Sequence, residues 1–142
     1  MDQRLSDDFQ TAFWAAKRAM AEAGEGAFQR HGVRSGQQWI LRCLWAEDGL
    51  SPGEIARRLD LATPTVTKAA TRMESAGLLT RQAHPRDARL VCLRLTDRGR
   101  ALEKVIADEM RHLAERALAT LDDGERAALV RHLGAIRTNL HP

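Results

Sequence analysis

Apolar residues recur at steps of three and four along most of the chain, and the rhythm breaks only between Gly77 and Thr96. Leu5, Phe9, Phe13, Ala16, Met20, Ala23 and Ala27 form one stripe, which predicts a helix over about 4–30. Gly24 and Gly26 sit in its last turns, where each costs about 1 kcal/mol against alanine, so fraying or a bend is expected there. His31 to Arg34 reads as a connector. Ser35-Gly36-Gln37-Gln38 has capping-box spacing and opens a second helix to about Asp48, with Trp39, Ile40, Leu41, Leu44 and Trp45 as a wide apolar face. Ser51-Pro52-Gly53-Glu54 repeats the signature with proline in the first turn, where its missing N–H is harmless. It starts a short helix carrying Ile55, Ala56 and Leu59. Thr63-Pro64 then caps a fourth helix to about Ala76, whose Val66, Ala69, Ala70 and Met73 face inward.

Past Gly77 the period changes. Leu78 to Gln82 and Leu90 to Leu95 are short β-prone runs, and the segment Ala83 to Arg89 between them is basic and contains Pro85. Together they predict a β-hairpin. Thr96 caps a long helix with Leu102, Val105, Ile106, Met110, Leu113 and Ala117 on successive turns. Asp122-Asp123-Gly124-Glu125 caps the last, with Leu129, Val130, Leu133, Ile136 and Leu140 as its stripe. The order ααααββαα is mainly α with a small β-hairpin wing. It divides into a winged helix-turn-helix over 35–96 and flanking helical segments over 1–34 and 97–142.

Charge sharpens this division. Residues 51–100 carry ten basic and five acidic side chains, whereas residues 1–50 and 101–142 each carry six and seven. A net +5 centre between arms of −1 suits a polyanion-binding middle with non-contacting ends. A 142-residue chain that is 44% hydrophobic can bury its own core without disulfide or metal. Cys43 and Cys92 lie far apart in apolar segments and suggest a reducing compartment. With no apolar leader after Met1 and no run of about 18 apolar residues, a cytoplasmic protein without membrane contact is expected.

Two short helices joined by a tight turn and followed by a hairpin make a helix-turn-helix with a wing. A helix about 10–12 Å across fits a major groove about 12 Å wide. On the fourth helix Thr63, Thr65, Thr67, Lys68, Thr71 and Arg72 are left off the apolar face, and no acid precedes Glu74. Threonine donates, accepts and offers a methyl to thymine; the cations reach phosphates or guanine. In the hairpin loop Arg86 and Arg89 suit a narrow minor groove, where negative potential concentrates. Asp87 beside them would be repelled by DNA unless it holds an arginine's guanidinium by a bidentate pair. Both features also have a plainer reading, as a solvated helix face and a surface ion pair. A winged helix used for protein–protein contact is the alternative.

At this point the residues resemble the multiple antibiotic resistance regulator (MarR) family. The resemblance lies in Thr63-Pro64-Thr65-Val66-Thr67, in Gly77-Leu78-Leu79-Thr80-Arg81, and above all in Asp87-Ala88-Arg89 followed by Leu95-Thr96-Asp97-Arg98-Gly99. It implies a winged helix with dimerising terminal helices, a recognition helix over 63–76, and Arg89 as the minor-groove residue oriented by Asp87. It also implies a homodimeric repressor on a pseudo-palindromic operator in double-stranded DNA, released by small aromatic or anionic effectors or by oxidation. The apolar stripes at both chain ends exceed what one small winged helix buries, which independently favours a dimer.

Trp14, His31, Trp39, Arg42 and Cys43 are candidates for an effector pocket between the two regions, against the plainer reading of tryptophans as core. Cys43 is also the candidate for a redox switch, although its apolar surroundings oppose a thiolate. No metal or other cofactor is expected, since the five histidines form no ligand array beyond Asp108 and His112 at helical spacing. No nucleophile elbow, phosphate loop or dinucleotide fingerprint points to an enzyme.

Overall fold

The computed structural model describes residues 1–141. Pro142, the last residue of the expected C-terminal segment, lies outside them. The elements are α1 (Gln3–Gln29), α2 (Gln37–Ala46), α3 (Pro52–Leu59), α4 (Thr63–Ser75), β1 (Leu79–Ala83), β2 (Val91–Leu95), α5 (Asp97–Ala117) and α6 (Asp123–Leu140). The order is the one the periodicity predicts, with differences of a few residues at element ends.

The core lies in the winged helix, and the ends of two long helices close over it. Ile40, Leu41 and Leu44 of α2 meet Ile55 of α3, Val66, Ala70 and Met73 of α4, and Leu79, Leu93 and Leu95 of the hairpin. Phe28 from the end of α1 and Ile106 from α5 seal it. The strands are antiparallel, with Leu79 opposite Leu95 and Arg81 opposite Leu93, so three leucines share the inner face. The connector before α3 adds a short third edge, because Gly49 N–H donates to Leu93 O (3.0 Å) and Leu93 N–H donates to Leu50 O (2.8 Å). Asp48 secures this edge. Its Oδ1 accepts from Leu95 N–H at 2.9 Å, and its Oδ2 accepts from Arg100 at 3.2 Å. The sequence assigned Asp48 to the end of a helix and missed the clasp.

Two expected helix starts are corrected. Gly36, not Ser35, precedes α2, at φ +95°, a conformation that suits glycine and leaves the serine hydroxyl out of the cap. Gln38 Oε1 accepts from Gly36 N–H (2.7 Å) rather than from Ser35, whose N–H is taken by Glu25 (2.7 Å). That backbone contact, and then Arg34, holds the Glu25 carboxyl below its ordinary range. Likewise Ala62, not Thr63, is the residue before α4, with Thr63 and Pro64 already helical. Proline is accepted throughout a first turn because no amide there has a helical acceptor. The boxes at Ser51 and Asp122 form as expected, and Thr96 caps α5.

Nor does α1 fray at its glycines. It runs through Gly24 and Gly26 to Gln29, because Gly24 is buried where a Cβ would meet the Phe28 ring at 3.3 Å. The rest of α1 and all of α6 are open. Leu5, Phe9, Phe13 and Met20, and on α6 Val130, Leu133 and Leu140, are exposed, and α6 buries no residue.

Two glycine substitutions should move stability in opposite directions. A Cβ at Gly99 would overlap the Leu78 carbonyl, so Gly99→Ala should destabilise by about 3 kcal/mol or more. At Gly26 nothing lies within 4 Å, so Gly26→Ala should stabilise by about 0.5–1 kcal/mol. Thermal melts of the two variants check the contrast.

Candidate nucleic-acid interface

Burial of Val66, Ala70 and Met73 fixes which way α4 faces. A helix that commits positions four and then three apart to the core must turn the rest outward. Thr63, Thr65, Thr67, Lys68, Thr71 and Arg72 are accordingly all exposed. Thr63, Thr67, Thr71 and Ser75 line up at intervals of four as a hydroxyl ridge. Within it Thr67 Oγ1 donates to Thr63 O (3.1 Å), Thr71 Oγ1 to Thr67 O (3.0 Å) and Ser75 Oγ to Thr71 O (3.2 Å). Such back-bonding turns the hydroxyl hydrogen inward and leaves lone pairs and methyl outward.

The charges on this face are all of one sign in effect. Lys68, Arg72 and Arg86 form no ion pair among the described residues. Glu74, the sole acid of α4, is turned to β1. It accepts from Arg81 N–H at 3.0 Å and from Arg81 Nε at 3.2 Å, and the backbone contact first, then the side chain, hold its carboxyl below the usual range. The first turn of α4 contains no acid, so its positive dipole end stays uncompensated.

At the wing tip Leu90 N–H donates to Asp87 O and His84 N–H to Leu90 O, closing a tight loop between the strands. Asp87 receives Arg89 three times: Nε to Oδ1 at 3.1 Å, Nη2 to Oδ2 at 3.2 Å and the backbone N–H to Oδ1 at 3.1 Å. The Arg89 side chain is nevertheless 90% exposed. The pair fixes the arginine's direction without burying it, and those hydrogen bonds, side chain first, hold the Asp87 carboxyl below its ordinary value. Arg86 is exposed on the same loop.

The five effector candidates do not line one common pocket, although the Arg42 guanidinium lies 5.3 Å from the centroid of the Trp39 ring. Trp39 lines a cleft of about 360 Å³ with Met20, Phe28, Gln38, Met110 and Leu113, between α1, α2 and α5. Arg42 lines a different one, about 460 Å³, with Trp45, Glu103 and Arg111. Trp14 is 61% exposed under the Arg18 guanidinium. His31 Nε2 lies 3.4 Å from Glu109. Cys43 is half-buried, and that burial pushes its thiol up despite Arg58 and Arg42 nearby. Helical spacing placed the tryptophans on helices but could not say which side of each helix its neighbours would cover. Phe28 and Met110 also line the Trp39 cleft; Met110 stood in an ordinary core stripe and Phe28 in none.

Comparison with known proteins decides the lineage. A family model described as the MarR family matches residues 35–91. Over 139 residues the chain is 34% identical to the HTH-type transcriptional regulator TtmR of Methylorubrum extorquens, covering 98% of this chain and 70% of that protein. This chain belongs to the MarR family. The fold agrees with solved members. The transcriptional regulator SlyA superposes with a TM-score of 0.83 at 22% identity, over 94% of each chain. Reduced AbfR, solved bound to DNA, gives 0.78 at 23%, over 98% of this chain and 96% of that one. Within the family the Asp87–Arg89 pair acquires a definite test. Because the Asp87 carboxyl is depressed, the pair is intact above the ordinary carboxylate range, about pH 4, and loosens only as pH falls through the lowered value. DNA affinity should therefore show no contribution from this group between about pH 6 and 8, and Asp87→Asn should weaken binding several-fold across that window. Fluorescence anisotropy with a labelled duplex measures both.

Proposed function

We propose that this MarR-family regulator is a homodimeric repressor that occupies a pseudo-palindromic operator and leaves it on binding a small aromatic effector. The family membership makes it a DNA-binding transcription regulator. The observation that carries the finer reading is the exposed face of α4, a hydroxyl ridge flanked by unpaired cations, set beside a wing arginine whose aim is fixed by Asp87. Thr63, Thr65, Thr67, Thr71, Lys68 and Arg72 enter the major groove; Arg86 and Arg89 grip phosphate and the adjacent minor groove. Lys68 acts chiefly through charge, whereas Arg72 and the threonines sort base edges.

The flanking segments, 1–34 and 97–142, form the dimer. The exposed stripes of α1 and α6 supply the apolar area that a permanent interface needs, about 2,000 Å² or more. Two-fold symmetry then sets recognition helices about 34 Å apart, one turn of duplex. The Trp39–Phe28 cleft lies between α1, α5 and the start of α2 in the winged helix, where a planar apolar molecule can bias their relative position. The protein works in the cytoplasm and needs no catalytic group. No helix is long and apolar enough to cross a membrane among the described residues, and no three ligating side chains cluster there.

Oxidation is the second reading for release, and the raised Cys43 thiol speaks against it. Peroxide should leave operator binding of the wild type and of Cys43→Ser alike; release of the wild type alone would establish the redox switch.

Selection of bound duplexes from random DNA tests the main reading. A palindromic consensus is expected, with log affinity falling against log salt by about 0.9 per neutralised phosphate. Arg89→Ala should weaken all sequences, most at A·T-rich flanks, whereas Thr67→Ala or Arg72→Ala should change the consensus. An unchanged consensus in both would remove α4 from the groove. Phe13→Glu with Leu133→Glu should yield monomers by light scattering.

A further inference from the structure

The C-terminal end of α4 presents three consecutive carbonyls beyond its last helical hydrogen bonds, and the segment Thr96–Arg98 takes up all three. Arg98 Nη1 donates to Ala76 O at 2.8 Å, Thr96 Oγ1 donates to Gly77 O at 2.6 Å, and Thr96 N–H donates to Leu78 O at 3.2 Å. The other terminal nitrogen of Arg98, Nη2, is turned toward Gly32, where a Cβ would stand 2.6 Å from Nη2. Gly32 holds φ +76° in the connector leaving α1, and the residues before it bind α5 as well: Arg30 Nη2 meets Glu109 at 2.8 Å. Arg98 has no carboxylate partner among the described residues, so its charge is directed at the negative end of α4. One side chain at the root of α5 thus touches both the exit of α1 and the exit of α4.

We propose that Arg98 is a positioning residue that sets the tilt of α4 against α1 and α5, and thereby the separation at which a dimer presents its two recognition helices. This rests on the reading of α4 as recognition helix and of the terminal helices as dimer interface. The inner seam of Val66, Ala70 and Met73 keeps one face of α4 on the core, and the Arg98 contact holds its C-terminal exit as the pivot. A 13-residue helix is a lever of about 20 Å, so a tilt of about 10° moves its far end by about 3 Å, one base-pair step. Holding the pivot is therefore worth a base pair of register. The planar fork of arginine meets this geometry, since Nη1 reaches the Ala76 carbonyl while Nη2 stands against Gly32; lysine reproduces only the first contact.

The test uses the full chain as wild type, Arg98→Lys and Arg98→Ala. Each is bound to duplexes carrying the selected half-sites at the preferred spacing and at spacings one base pair longer and shorter, with thermal melts alongside. Wild type should lose about tenfold or more in affinity when the spacing changes. Arg98→Ala should bind the preferred spacing about tenfold more weakly and discriminate among the three by less than about threefold, with Arg98→Lys between. If Arg98→Ala does not fold, Arg98→Lys decides by whether its discrimination falls. A variant that melts lower or binds more weakly yet keeps the full wild-type spacing preference overturns the positioning role and leaves a plain helix cap. A wild type indifferent to spacing overturns the recognition-helix and dimer reading beneath it, an outcome separable from the first.

Discussion

Val66, Ala70 and Met73 disappear into the core at successive turns of α4, and nearly everything else about the surface follows from that burial. Each side chain removed from water contributes about 1–3 kcal/mol, far more than any single surface contact. With that seam fixed, a 13-residue helix has no freedom to hide its polar positions. The threonines and cations face outward because the core has first claim on the other side. The hairpin follows the same logic, since Leu79, Leu93 and Leu95 pin its base while the tip from His84 to Leu90 projects beyond the packed region.

Electrostatics then refines what packing leaves exposed. Glu74 is the acid of α4 and Asp87 the acid of the hairpin loop, and each is held by an arginine two or more residues away. Neither pair is worth much to the stability of an exposed surface. Their effect is directional: one removes a carboxylate from the α4 face, and the other aims a guanidinium. A structure in which the acids were simply absent would carry more positive charge but a less defined wing.

The elements and the inward faces were legible because periodicity reports burial directly, and seven of the core positions on α2, α3 and α4 stand where the stripes put them: Ile40, Leu41, Leu44, Ile55, Val66, Ala70 and Met73. The Asp87–Arg89 geometry was legible for a different reason. An acid beside a polyanion needs a partner, and of the two arginines flanking Asp87, Arg86 and Arg89, the family resemblance singled out Arg89. What the sequence hid were contacts made across space by residues with strong local readings. Ser35 and Thr63 look like caps, yet a glycine turn and an earlier helix start displaced them. Asp48 looks like the end of a helix and instead clasps a strand. The effector candidates are divided for the same reason: Trp39 lines the cleft beside α1, Arg42 three residues on lines another, and Trp14 stays exposed.

The back-bonded threonines have a bearing on what kind of base edge suits them. With its hydrogen committed to the carbonyl one turn back, the oxygen of Thr67 or Thr71 meets an approaching partner as a lone-pair donor of electrons only. Amino groups of adenine and cytosine complement such an oxygen, while the keto oxygens of guanine and thymine repel it unless the hydroxyl rotates and gives up its bond to the backbone. On the proposed recognition-helix reading, the helix itself therefore biases the polarity of the code open to these two side chains.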